Sequence, residues 1–339
     1  KLNCYHQKME NQKSQTQELT KALAEIVSAT NGISLVDTLA LLKTSPHVMA
    51  TPTLAAQVQS FQERLESFQI NRTDINQLLD HPLGHAFFEL FKHFPLKYRD
   101  EHIHLTGSIA ADFLAPRLQR LLEGPLRQTY LDKLNQIYGQ KCEQIYSAED
   151  FQAESVINQL IRLPENQSFE HYLRILYLPK LILTSREAHA ETAYHIAQTL
   201  SSQYNIGHIR LKFTLARSST SSEEQIPGLD PLSAEDVVLG LYEGFQQFRK
   251  QHPGFEFVLS PSFRKEQSFF DSTRYTSRRE HFLQQVEEIL NLLRKYPFLT
   301  DHLLEVDTVG NEQNLYRKEH FQELKLGLRK LQAKGLQVR

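Results

Sequence analysis

The stretch His102-Ile103-His104-Leu105-Thr106-Gly107-Ser108 decides how the fold is read. Side chains alternate across a strand, so His102 and His104 share a face, and two imidazoles at that spacing can both reach one divalent ion. The same spacing suits two solvent-facing or packed histidines, and spacing alone does not choose between them. Gly107 turns the chain directly after His104, so the histidines sit where the carboxyl end of a barrel strand, the active face of parallel barrels, would lie.

Outward from that strand the pattern repeats. Strands are predicted at 102–105, 208–215, 255–260 and 303–307, with 335–339 as the start of a fifth. Helices at 187–203, 234–251, 278–295 and 318–334 carry apolar residues at three- and four-residue steps. Short apolar runs alternating with amphipathic helices are βα units around a parallel sheet. A doubly wound sheet would show a Gly-rich phosphate turn after its first strand, and none follows. A closed barrel needs eight strands. The expected class is α/β, and the family resemblance that these segments carry implies a (β/α)8 TIM-type barrel of which about the first half is present. The barrel part is placed at 96–339, with a helical insertion at about 124–167.

Upstream, residues 1–95 read as helices only, a helical amino-terminal extension. Leu19, Leu23, Ile26 and Val27 fall at helical spacing, Ser34 is placed to cap a helix over 35–42, and Leu54, Val58, Phe61, Leu65 and Phe68 form another stripe. The aromatic run Phe87-Phe88-Glu89-Leu90-Phe91 is expected to cover something.

Composition narrows the partners. The chain has 339 residues, 40% hydrophobic and 10% aromatic, enough to bury a sizeable core. Its formal charge of −2 provides no field to hold a polyanion, so neither nucleic acid nor an anionic membrane is expected. Apolar runs such as 178–183 are too short to span a bilayer, and no signal peptide opens the chain. That favours the cytoplasm over a secreted setting. Cys4 and Cys142 form no disulfide framework, so metal chemistry would fall to the 15 histidines and the carboxylates.

The run from His102 to Ile109 resembles the first-strand zinc motif of the adenosine deaminase family, within the metal-dependent hydrolase superfamily, usually written His-x-His-Leu-Asp-Gly-Ser. Later segments resemble the family in the same order. Ile209 to Phe213 is similar to its second strand and Ser260 to Arg264 to the end of its third. Asp307-Thr308-Val309-Gly310-Asn311-Glu312 is similar to the segment after its fourth.

The resemblance implies that His102 and His104 are two ligands of a Zn2+ ion, and that the backbone N–H of Gly310 meets a purine ring at a distance a side chain would block. Thr106 stands where most members carry an Asp that binds the sugar hydroxyl, which implies an altered nucleoside preference. The family's third zinc histidine, its proton-handling Glu and later His and Asp groups come from strand five onward. The chain has no counterpart for them before Arg339, and its catalytic groups are unassigned. Both ends read as interruptions, so the rest of the barrel is expected from residues beyond 339 or from a second segment. The implied activity of the complete protein is zinc-dependent hydrolysis of adenosine or a related purine nucleoside, giving inosine and ammonia. The alternative is a non-catalytic relative that keeps the barrel as a nucleoside-binding or protein-interaction scaffold.

Other features carry less. Glu305 and Asp307 alternate on one strand like a carboxylate pair, but Asp307 is better placed to order the active-face loop. No Gly-x-Ser-x-Gly elbow occurs. Phe269, Phe270, Tyr172 and Tyr177 read as core, Arg274, Arg278 and Arg279 as a solvated helix face, and His189 and His195 as surface or packing residues.

Overall fold

The computed structural model describes residues 2–29, 34–71, 75–138, 149–151, 153–163, 167–168, 171–172, 175–215, 232–264, 271–272, 274–310 and 317–339. The chain divides into two compact units, Lys1–Lys97 with Ser202–Asn205, and Tyr98–Ser201 with Ile206–Arg339.

The described part of the first unit is helical: Leu2–Ala29, Leu35–Thr44, Pro46–Met49, Pro52–Asn71, Asn76–Leu79 and Pro82–Lys92. Ser34 caps the second helix by accepting from the Asp37 N–H at 3.2 Å, satisfying one of the donors a helix start leaves open. Leu19, Leu23, Leu42, Val58, Phe61 and Leu83 close a common core. His81 caps the last helix, its Nδ1 accepting from the Leu83 N–H at 3.1 Å. The aromatic run on that helix differs from expectation. Phe87 packs against the core, but Phe88 and Phe91 remain 45% and 50% exposed, because the buried face of the helix is that of Leu83 and Ala86. Asn205, in the left-handed region at φ 57°, donates to the carbonyls of Phe91, Phe94 and Leu96, and its short amide tolerates that backbone.

The second unit is built on five parallel strands, β1 (Tyr98–His104), β2 (Ile206–Phe213), β3 (Glu256–Arg264), β4 (Glu305–Val309) and β5 (Gln337–Val338), in the order β1-β2-β3-β4-β5. Each new strand joins the same edge of the sheet, as in a barrel; a doubly wound sheet would reverse direction. Helices Arg186–Tyr204, Ala234–Gln251, Arg278–Lys295 and Arg317–Gln332 connect successive strands. Ile209, Leu211, Phe213, Phe257, Leu259, Phe263 and Val306 belong to the large core with these helices. Burial of this alternating apolar set, about 25 cal/mol per Å², fixes which face of the sheet turns to the helices. Helix Ala234–Gln251 lies backbone-close to its neighbour. A Cβ on Gly244 would stand 2.0 Å from the Ala190 carbonyl oxygen, and one on Gly240 2.4 Å from that of Arg186.

Three differences from the sequence reading have local causes. β1 begins at Tyr98 rather than His102, because Arg99, Asp100 and Glu101 hide the strand behind charge. β3 continues through Ser260-Pro261-Ser262 to Arg264, although proline ordinarily argues against a sheet interior. Helix Ala111–Glu123 holds Pro116 inside it, which masked its period. The expected insertion contains helices Arg127–Tyr138 and Glu154–Leu160, while 139–148 and 164–166 lie outside the described residues. No helix among the described residues is long and apolar enough to cross a membrane.

Candidate functional site

The face of the sheet away from the helices is charged. Register alignment puts Arg210 and Lys212 of β2 on the side opposite Ile209 and Leu211, with Ser260 and Ser262 of β3 and Glu305 and Asp307 of β4 on the same side. The cations reach across β3. Arg210 pairs with Glu305 and, at 2.7 Å, with Glu101 of β1. Lys212 Nζ donates to Asp307 Oδ2 at 2.7 Å. The small serines on β3 leave room for the Lys212 side chain to cross to Asp307.

These are buried charges. Glu305 is fully buried, Lys212 is 2% exposed and Asp307 7%, so each pairing is needed to offset desolvation. Arg339 also donates to Glu305, from Nε to Oε2 at 2.7 Å, while Glu305 Oε1 makes no hydrogen bond. The Ser260 and Ser262 hydroxyls are likewise buried without a partner. Toward the other end of the strands, His208 stands 3.3 Å from Glu256 and 3.7 Å from Glu101. Arg210, Arg99 and His208 hold the Glu101 carboxyl below the usual carboxylate range.

At the carboxyl end of β1 the two histidines come together. The register slips between Asp100 and Ile103, and a bulge of this kind re-aims side chains where it occurs. The Asp100 carboxylate accepts from the His102 N–H at 3.1 Å. The Nε2 atoms of His102 and His104 end 3.1 Å apart, with ring centroids 5.1 Å apart and tilted by 52°. Between two neutral rings such a contact is an N–H···N hydrogen bond. It also suits a metal: with metal–nitrogen bonds of about 2.0–2.1 Å, a 3.1 Å separation corresponds to an N–metal–N angle of about 100°, close to tetrahedral. Both imidazoles fit as two corners of a zinc site. Among the described residues no group of three or more His, Cys, Asp or Glu stands ready to hold an ion.

His104 pairs in register with Lys212, and Leu105 N–H donates to the Lys212 carbonyl at 2.9 Å. His102 and His104 are both exposed at the strand end; partial desolvation lowers the His104 pKa, His102 and Lys212 add to the effect, and Asp307 opposes it. The turn after the strand is anchored by Ser108, whose hydroxyl donates to the His104 carbonyl at 2.8 Å. Thr106 opens that turn, a single 3-10 turn over Thr106–Ser108. Gly310 follows β4 at the same edge of the sheet, three strands across, with φ of 132°, a backbone conformation that glycine alone adopts readily. The structure thus joins His102 to His104, sets Thr106 beside them and leaves Gly310 on a separate strand end.

Several weaker candidates resolve. Glu305 and Asp307 are each neutralised by a cation, so they do not form a free carboxylate pair. Arg278 is not on a solvated face as expected; it is 9% exposed and donates to the Arg264 carbonyl at 2.8 Å. His189 is buried with Nδ1 at 2.8 Å from the Ser185 carbonyl, and His195 stacks on Phe113 at 4.3 Å. Tyr177 packs at the core edge and Tyr172 is exposed, while Phe269 and Phe270 lie outside the described residues. The pairing of Arg210 and Lys212 with Glu305 and Asp307 was missed in the sequence. Its signal was present: two cations and two carboxylates, each spaced by two on a strand.

No protein-family model matches the chain, and no curated protein matches it. Solved structures do. The complex of ADAL with IMP has a TM-score of 0.46 at 13% identity, over 74% of this chain and 58% of that one. The Arabidopsis N6-mAMP deaminase MAPDA has a TM-score of 0.48 at 15% identity, over 74% and 59%. An adenine deaminase from Arthrobacter aurescens has a TM-score of 0.43 at 11% identity, over 71% and 55%. The chain spans less than three fifths of the length of each. Nothing about its substrate follows from likeness this remote.

Proposed function

We propose that the end of β1 is half of a zinc centre, and that the complete protein hydrolyses the exocyclic amine of adenosine or a related purine nucleoside, giving inosine and ammonia. The observation that carries this reading is the 3.1 Å approach of the His102 and His104 Nε2 atoms at the carboxyl end of a parallel strand. Both histidines would hold the metal, which when bound supplies a Lewis acid that brings water toward ionisation near neutral pH.

The chain's own residues do the rest of what half a site can do. Ser108 fixes the strand end that aims His104. Gly310 offers a backbone N–H without a Cβ in the way of a planar ring. Thr106 can donate to or accept from a sugar hydroxyl at the site's rim, less strongly than a carboxylate would accept. The third metal donor and the group that moves protons belong to strand five and beyond in this reading. Its support is the spacing and geometry of the histidines, together with the order of the resembling segments.

A scaffold reading, in which the sheet binds a nucleoside or a protein without catalysis, is favoured by Thr106 alone. Metal analysis separates the two: the longest natural form should carry one zinc per chain, lost in the His102→Ala/His104→Ala double variant. Ammonia release should then follow adenosine or AMP rather than cytidine. A metal-free protein would leave the scaffold, and release from adenine alone would remove the nucleoside.

A further inference from the structure

The zinc reading leaves an adjacent feature unused. Lys212 is a buried cation on the strand next to His104, in direct register with it and on the same face of the sheet. Strands stand about 4.8 Å apart, so the Lys212 backbone adjoins that of His104. Its carbonyl accepts from Leu105 N–H, so the backbone of β2 is tied to the strand end that carries the histidines. Its Nζ is turned to Asp307 at 2.7 Å, across the serines of β3.

Two consequences follow for a cation at the histidines. The ammonium repels it directly. The same ammonium also neutralises the Asp307 carboxylate, an anion on this face that would otherwise favour a cation. A neutral amide in place of the ammonium could still donate a hydrogen bond to Asp307 but would leave its buried charge uncompensated.

We infer that Lys212 is a positioning residue that weakens metal binding at His102 and His104, by opposing the ion and by neutralising Asp307. This rests on the zinc reading of the site. Lys212 thereby keeps the half-site from retaining zinc on two imidazoles and leaves affinity to be completed by further donors. At an effective dielectric of about 20, an unopposed unit charge about 10 Å from a divalent ion, two strand spacings, shifts its affinity by more than tenfold.

The test is a competitive zinc titration of the full chain against a chromophoric chelator, with the His102→Ala/His104→Ala variant subtracted to remove binding by other histidines. Lys212→Gln keeps a hydrogen-bond donor for Asp307 and is expected to bind zinc at least tenfold more tightly than the parent. Lys212→Arg retains the cation and should stay within threefold of it. Asp307→Asn, which leaves the ammonium unopposed, should bind at least tenfold more weakly. A role in folding alone would leave the parent, the Arg and the Gln forms with equal affinity once folded, as checked by circular dichroism. Histidine-dependent binding by the parent that Lys212→Gln fails to tighten overturns the inference and spares the zinc site. No histidine-dependent binding in either form overturns both.

Discussion

Replacing Arg210 with methionine removes the main counter-ion of a carboxylate that has no surface exposed. Glu305 is fully buried against an Arg210 side chain only 11% exposed, and its other partner, Arg339, is 45% exposed and so a weaker compensator. Breaking a buried ion pair from one side costs about 3–5 kcal/mol. The lower end applies because Arg339 stays, and Glu305 Oε1 already lacks a partner. About 3 kcal/mol corresponds to amide exchange on the order of 100-fold faster wherever exchange needs this sheet to open. Hydrogen exchange of β2 and β3 amides, followed by mass spectrometry, reads that loss locally. The Arg210→Met/Glu305→Leu double variant should recover most of it, since an apolar pair of similar volume avoids the desolvation cost. If Arg210→Met alone exchanges within threefold of the parent, the face is hydrated and the buried-charge reasoning fails.

Further predictions concern the helical unit and the helix packing. Burial, then Arg64 and His85, lower the His81 pKa to about 4, so the folded unit binds this proton more weakly than the unfolded chain. Its contribution is intact above pH 6.5 and declines between pH 6.5 and about 4, by about 3 kcal/mol at 1.36 kcal/mol per unit. Thermal melting followed by helical ellipticity should show this decline in the parent but not in His81→Asn, which keeps a capping acceptor; parallel losses would contradict it. Gly244→Ala should cost about 2 kcal/mol although alanine is the better helix former, because its Cβ would meet the Ala190 carbonyl. Gly254→Ala, with open space around it, should be neutral, and equal melting of the two variants would refute the close helix contact.

The sequence disclosed most where periodicity and burial agreed. Helices Ala234–Gln251 and Arg278–Lys295 lie at the boundaries expected from their apolar spacing, because one stripe of each faces the sheet. β1 was only half legible: its amino-terminal residues are charged, and Arg99 and Glu101 stay exposed even though Glu101 pairs with Arg210 of β2. The strand-sharing of His102 and His104 could be read from alternation, but their ring-to-ring approach depends on the bulge after Asp100, which no local pattern announces. The Lys212–Asp307 contact joins residues 95 positions apart, so charge spacing suggested partners for it and only strand order could choose them.

In the proposed centre His102 and His104 grip one metal ion. Zinc K-edge absorption of the longest natural form, purified without added metal, should show imidazole nitrogens at about 2.0–2.1 Å, and His104→Ala should reduce that shell while the fold, by circular dichroism, is kept. A zinc-free protein, or a nitrogen shell unchanged by His104→Ala, would contradict it.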